Sequence, residues 1–140
     1  MPICREEILK YHLGGKVGVR LIKRLSDART LSMAYTPGVA VPVKSIAADP
    51  SALYSYTAKN NLVAVVSDGT AILGLGDLGA AASIPVMEGK AVLFKAFADV
   101  DGWPVPLDFC RRNRQSTGRT DPELVIETVQ RMACMFGGIR

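Results

Sequence analysis

Asn61-Leu-Val-Ala-Val-Val-Ser67 decides the fold. It is an unbroken, valine-rich apolar run bounded by turn-forming residues, Asn60 before it and Asp68-Gly69 after. Such a run reads as a strand covered on both faces, which points to a parallel sheet with helices packed on it. Downstream, the pattern turns helical from Val86 or Met87 to about Ala98, with Val92, Leu93, Ala96 and Phe97 as the apolar face. Trp103-Pro-Val-Pro-Leu-Asp-Phe109 then reads as a second strand, and its two prolines suit a peripheral position. Strand, crossover helix and strand make a unit whose strands run parallel. Thr120-Asp-Pro-Glu123 reads as a capping box opening a last helix, which buries Val125, Val129 and Met132 and stops before Gly137-Gly138. The fold class expected is α/β, a small mixed or parallel sheet with flanking helices.

Upstream of the decisive strand the signals are shorter. Glu6 to Leu13 suits one helix, broken by Gly14-Gly15. Lys16 to Ile22 alternates apolar and polar residues, an edge-strand pattern. Ser26 or Asp27 caps a helix running to about Ala34, Pro37-Gly38 makes a turn, and Pro42 sits in the first turn of a helix through Ala47. Asp49-Pro50 begins another short helix. After Ser67, a turn at Asp68-Gly69 leading into Ala71 to Leu75 predicts a β-hairpin.

The 140 residues are 49% hydrophobic, enough for one domain with a real core and too apolar for a disordered chain. No run approaches the length needed to span a bilayer, and Met1 to Arg5 carries no signal-peptide pattern. The three cysteines (Cys4, Cys110, Cys134) are widely spaced without CxxC, and His12 stands alone, so neither a disulfide framework nor a zinc site is expected. A reduced, cytoplasmic setting follows, with Cys110 and Cys134 as small apolar core or interface residues. The formal net charge is +4, with Arg111, Arg112, Arg114 and Arg119 clustered in one segment. That segment reads as a solvated loop, with an anion or partner site as the sharper alternative. No aromatics interleave it, so nucleic acid is not an expected partner.

Gly74-Leu-Gly76-Asp-Leu-Gly79 matches the GxGxxG dinucleotide fingerprint in letters. Its physics requires a helix beginning at the motif, so that pyrophosphate meets the helix amino terminus. Pro85 argues against such a helix, and no acidic residue closes the following strand as the fingerprint demands. A tight loop near a substrate pocket is the preferred reading, with nucleotide binding through Gly74, Gly76 and Gly79 as the alternative.

Two residues in distinctive peptides can carry proton chemistry. Lys90 lies in Ile84-Pro-Val-Met-Glu-Gly-Lys-Ala-Val-Leu-Phe-Lys-Ala-Phe-Ala-Asp-Val-Asp101, and Tyr35 in Leu31-Ser-Met-Ala-Tyr-Thr-Pro-Gly-Val-Ala40. A lysine acts as a base when burial lowers its pKa, and a helix amino terminus further disfavours its cation. A tyrosine hydroxyl held by a turn can supply a proton. Local sequence by itself favours the plainer reading, a snorkelling surface lysine and a core ring with a satisfied hydroxyl.

Taken together, these peptides and Tyr56-Thr-Ala-Lys-Asn-Asn-Leu-Val-Ala-Val-Val-Ser-Asp-Gly-Thr-Ala-Ile-Leu-Gly-Leu-Gly-Asp-Leu-Gly79 resemble, in this order, the amino-terminal substrate domain of short bacterial and archaeal malic enzymes. The resemblance runs from about Lys16 to Ile139. It implies an amino-acid-dehydrogenase-like substrate domain over residues 1–140, with Tyr35 the general acid and Lys90 the general base of malate oxidative decarboxylation to pyruvate. It further implies Thr36, Pro37, Gly38 and Val39 as pocket backbone, a small dicarboxylate (malate or pyruvate) as ligand, and a homodimer. Lys59 and Lys95 are read as structural or solvated. In the full-length family Mg²⁺ or Mn²⁺ and NAD or NADP serve the reaction. No cofactor or metal is expected on this chain alone, because the family's asparagine and Glu-Asp pair after FGGI give way here to Arg140, and the nucleotide domain lies beyond. The segment before the last helix also looks longer than the family's usual connection. Such a chain reads as an excised domain, a truncation or a free-standing relative without catalysis, inactive by itself. The rival is an interaction module of the same fold.

Overall fold

The computed structural model describes residues 3–111 and 118–140. The decisive run forms β1 (Leu62–Ser67), with β2 (Asp101–Pro106) on one side and β3 (Gly138–Ile139) on the other, in the order β2-β1-β3. Both neighbours run parallel to β1, in a register pairing Leu62 with Asp101, Ser67 with Pro106 and Val63 with Gly138. Alternating side chains of a central strand enter both faces, and Ala64 and Val65 are both buried. The prolines of β2 are tolerated for a geometric reason. Asp101 N–H and Leu107 N–H donate to Asn61 O and Ser67 O, so odd-numbered residues turn their amides toward β1. Pro104 and Pro106 therefore lack an N–H only on the outer edge.

Before β1 lie α1 (Arg5–His12), α2 (Ala28–Ala34), α3 (Ala40–Ala48) and α4 (Leu53–Tyr56), while α5 (Ala80–Ala98) connects β1 to β2 and α6 (Pro122–Met132) precedes β3. Caps follow local chemistry. Asp27, rather than Ser26, opens α2 by accepting Thr30 N–H at 2.7 Å while Thr30 Oγ1 accepts Asp27 N–H. The cap of α6 is Asp121, accepting from Glu123 N–H at 3.2 Å with Pro122 in the first turn. Thr120, expected in that role, instead donates its hydroxyl to Asp68. Val125, Val129 and Met132 are half-buried on α6. Lys59 is buried, and its Nζ donates to Ala133 O at 2.8 Å and Phe136 O at 2.6 Å, closing the end of α6.

Several expectations fail. The helix before β2 starts at Ala80, not Val86, and holds Pro85 inside. Its buried stripe is Ala80, Ser83, Met87 and Ala91, whereas Leu93 and Phe97 of the expected face are exposed. Small residues win the sheet-facing side because the approach is close: a Cβ on Gly102 would sit 2.8 Å from Ala91 Cα. Residues 71–75 form a turn rather than a hairpin strand, with Ile72 N–H on Gly76 O, Leu75 N–H on Ile72 O, and positive φ at Leu73, Gly74 and Gly76. Residues 16–22 are irregular; Lys16 is tied by its backbone to Glu88 Oε2 and by Nζ to Pro85 O, and Val19 and Leu21 stay exposed. Cys110 is buried as expected, but Cys134 is exposed and is no core residue.

Candidate active-site half

Tyr35 ends α2, its N–H donating to Leu31 O at 2.9 Å. The next residues fold back over the last turn of α2 and pass directly into α3: Gly38 N–H reaches Ser32 O at 2.8 Å and Val39 N–H reaches Tyr35 O at 2.8 Å. Only glycine fits at 38, because a Cβ there would lie 2.5 Å from Ser32 O and 2.7 Å from Met33 Cα. The Thr36–Pro37 peptide is cis. Thr36, Pro37 and Val39 are exposed, Gly38 is half-buried, and the Tyr35 side chain is no core ring, at 69% exposure.

Lys90 lies on α5. With Ala80 first of its 19 residues, Lys90 is in mid-helix, so the amino-terminal dipole expected to act on it does not reach. It is half-buried rather than buried. Among the described residues no hydrogen bond or ion pair engages its Nζ. Helical spacing places Lys90 beside the buried stripe on the flank of Val86, Leu93 and Phe97. The opposite flank, with Ile84 and Glu88, joins Val17, Trp103, Pro104 and Pro106 around a cleft of ≈ 170 Å³ on the outer side of β2. Neither Tyr35 nor Lys90 lines that cleft. Lys90 thus lies on the flank of α5 opposite the one that lines this cleft. No hydrogen bond joins it to the Tyr35 segment among the described residues.

The glycine motif occupies the loop 68–79, where β1 passes into α5. Its two ends touch: a Cβ on Gly69 would lie 2.0 Å from Gly79 O. Arg111 spans them, and among the described residues it is the largest fully buried side chain, 1% exposed. Nη2 donates to Asp68 O at 2.6 Å and to Asp77 Oδ1 at 3.0 Å, and Nη1 to Gly118 O at 2.9 Å. Asp68 also accepts from Thr70 and Thr120. Burial opposes ionisation of Asp68, yet the hydrogen bonds from Thr120 and Thr70, with the charge of Arg111, hold its carboxyl below the ordinary value. Sequence reasoning placed Arg111 in a solvated loop or anion site. It is neither, since its charge is already matched by Asp68 and Asp77. The signal available was two aspartates, Asp68 before the glycine run and Asp77 within it. Arg112 and Arg114 lie outside the described residues.

A helix does begin at the glycine motif, inside a parallel strand–helix–strand unit, so the objection from Pro85 does not hold. Dinucleotide binding is disfavoured for another reason. Gly79 N–H, at the helix start where a pyrophosphate would seek donors, already donates to Asp77 Oδ1 at 3.2 Å. That carboxylate fills the anion position itself. Among the described residues no group of three or more His, Cys, Asp or Glu is placed to hold a metal ion. Lys95 pairs with Asp99 at 2.6 Å and Asp101 at 2.9 Å on the surface, as a solvated role requires. No helix among the described residues is long and apolar enough to cross a membrane.

The parallel three-stranded sheet with its crossover helix defines an α/β domain. Residues 14–139 match the family model of the malic enzyme N-terminal domain. The chain is 50% identical to the NADP-dependent malic enzyme of Halomonas elongata over 96% of its own length and 30% of that protein's. It is 46% identical to the bifunctional malic/malolactic enzyme of Bacillus subtilis, covering 96% of this chain and 31% of that one. Its structure resembles the crystal structure of malic enzyme from Pyrococcus horikoshii, with a TM-score of 0.85, 46% identity and coverage of 96% and 30% of the two chains. The NAD-dependent malic enzyme of Thermotoga maritima gives a TM-score of 0.82 at 43% identity, covering 99% and 36%. The chain belongs to the malic enzyme family, by its N-terminal domain, and spans about a third of the length of these relatives.

Proposed function

We propose that this domain supplies the proton-transferring half of a malic enzyme active site, with Lys90 as base and Tyr35 as acid. The observation that carries the reading is family membership across residues 14–139, with both peptides inside the match. Lys90 takes the proton from the malate 2-hydroxyl, and the Tyr35 hydroxyl returns a proton to carbon 3 once carbon dioxide has left. Backbone of Thr36, Pro37, Gly38 and Val39 lines the diacid. A lysine takes a proton only as the neutral amine, and a half-buried amine gains that form when a second layer covers it. The flank of α5 that carries Lys90, opposite the one lining the cleft beside β2, is the side left for such cover.

The hydride acceptor (NAD or NADP) and the divalent ion (Mg²⁺ or Mn²⁺) belong to the length of the relatives that this chain does not span. Residues 1–140 form one domain, inactive by itself. Exposed Leu31, Met33, Val41 and Val43 on α2 and α3 support burial against a second copy in a homodimer. Three free cysteines suit a reducing, cytoplasmic setting. The purified chain with malate, Mn²⁺ and NAD(P) is expected to form no reduced cofactor, and to form it once a separately produced nucleotide-binding half is added. Turnover by the chain alone, or stable dimers that no such half activates, defeats this reading; the latter outcome favours an interaction module.

A further inference from the structure

We propose that Arg111 is a positioning residue: it staples the two legs of the 68–79 loop together and so holds the start of α5, the helix carrying Lys90, in register on the sheet. The guanidinium lies between Asp68 on the outgoing leg and Asp77 on the returning leg, with donors to both. Gly118 closes the circuit, its O accepting from Arg111 and its N–H donating to Asp77 Oδ2 at 3.1 Å. Arg111 and Thr120 also pair as an isolated antiparallel bridge, and Thr120 donates to Asp68, so the segment after β2 grips the loop at several points.

A buried ion pair adds little net stability once desolvation is counted; its usual contribution is to choose one arrangement over others. The need for such a choice is visible here. Leu73, Leu75 and Leu78 at the loop tip are exposed, so apart from buried Ile72 little apolar burial holds the loop's shape. The staple itself stands independently of the proposed chemistry; its importance for Lys90 rests on that reading.

Amide hydrogen exchange on the 140-residue chain tests the staple without substrate or turnover. In Arg111→Gln the amides of Thr70, Leu78 and Gly79 are expected to exchange about a hundredfold faster while β1 keeps its protection. Should Arg111→Gln not fold, Asp77→Asn removes one leg of the staple and is expected to shift the same amides in the same direction. Guanidinium at sub-denaturing concentration restores protection to Arg111→Gly, and potassium chloride at equal ionic strength does not. Unchanged loop exchange, a loss spread evenly through β1, or rescue by both salts or by neither overturns the assignment. None of these outcomes bears on whether Lys90 acts as a base.

Discussion

Replacing Lys59 by Met keeps an apolar stem of similar length and removes the ammonium that closes the end of α6. Its two hydrogen bonds, to Ala133 O at 2.8 Å and Phe136 O at 2.6 Å, are charge-assisted. Bonds of that kind contribute about 1.5–3 kcal/mol each. Ala133 is exposed and Phe136 half-buried, so the freed carbonyls regain some water and the pair together loses about 2–3 kcal/mol. The ammonium also lies 5.5 Å from the Tyr54 ring centroid. That contact adds about 0.5–1 kcal/mol. A total near 3 kcal/mol corresponds to a fall in Tm of roughly 10 °C for a domain of this size. Urea unfolding followed by circular dichroism measures the loss, and hydrogen exchange should place it in α6 and the approach to β3. A change under about 0.5 kcal/mol, with α6 exchange unaltered, refutes the reasoning and reopens a role for Lys59 in chemistry.

Two glycines should respond in opposite directions. Gly102→Ala drives a Cβ to 2.8 Å from Ala91 Cα and Cβ, and the resulting overpacking is expected to cost about 1–3 kcal/mol in urea unfolding. Gly89→Ala, in α5 with nothing within 4 Å of the added Cβ, is expected to gain about 0.5–1 kcal/mol. In native protein iodoacetamide should label exposed Cys4 and Cys134 readily, while Cys110, whose burial pushes its thiol pKa up, reacts only after unfolding, as mass spectrometry will report. Asp68 contributes a pH dependence of known sign. Its folded pKa lies below the ordinary 3.8, so its stabilisation is complete above that value and is lost as pH falls through the lower folded one. The urea midpoint of wild type should therefore fall more steeply with acid than that of Asp68→Asn; equal slopes contradict the assignment.

The sheet was legible where local pattern and tertiary demand coincide. Asn61 to Ser67 carries its own boundaries, and the prolines of β2 announced an edge. Asp27 and Asp49 announced helix starts because their side chains cap the nearest amides. Legibility stopped where a distant partner decides. Lys16 is held by Glu88 and Pro85 O, 69 or more positions away, so its segment's alternation never meets a ladder. Pro85 was read as a helix breaker, yet the helix starts earlier, from Gly79, and carries the proline through. The large residues Leu93 and Phe97 look like a core face in sequence; Gly102 instead selects the small stripe. Arg111 was hidden by its charged neighbours, since nothing local distinguishes a buried arginine from solvated ones. For the candidate site, the peptides around Tyr35 and Lys90 were recognisable as family peptides, and the fold explains Gly38 in steric terms. The local case for Lys90 as a base looked to burial and the helix dipole, whereas the side chain is half-buried and sits in mid-helix.

The measurement nearest the central proposition is malate oxidation by this chain paired with a separately produced nucleotide-binding half, comparing wild type, Lys90→Ala, Tyr35→Phe and Lys59→Met at a temperature where all four are folded. Loss of a proton-transferring group lowers turnover by about 10²–10⁴-fold, so Lys90→Ala and Tyr35→Phe should fall by that much while Lys59→Met stays near wild type. Lys90→Ala turning over at the wild-type rate in that complex would contradict the assignment outright.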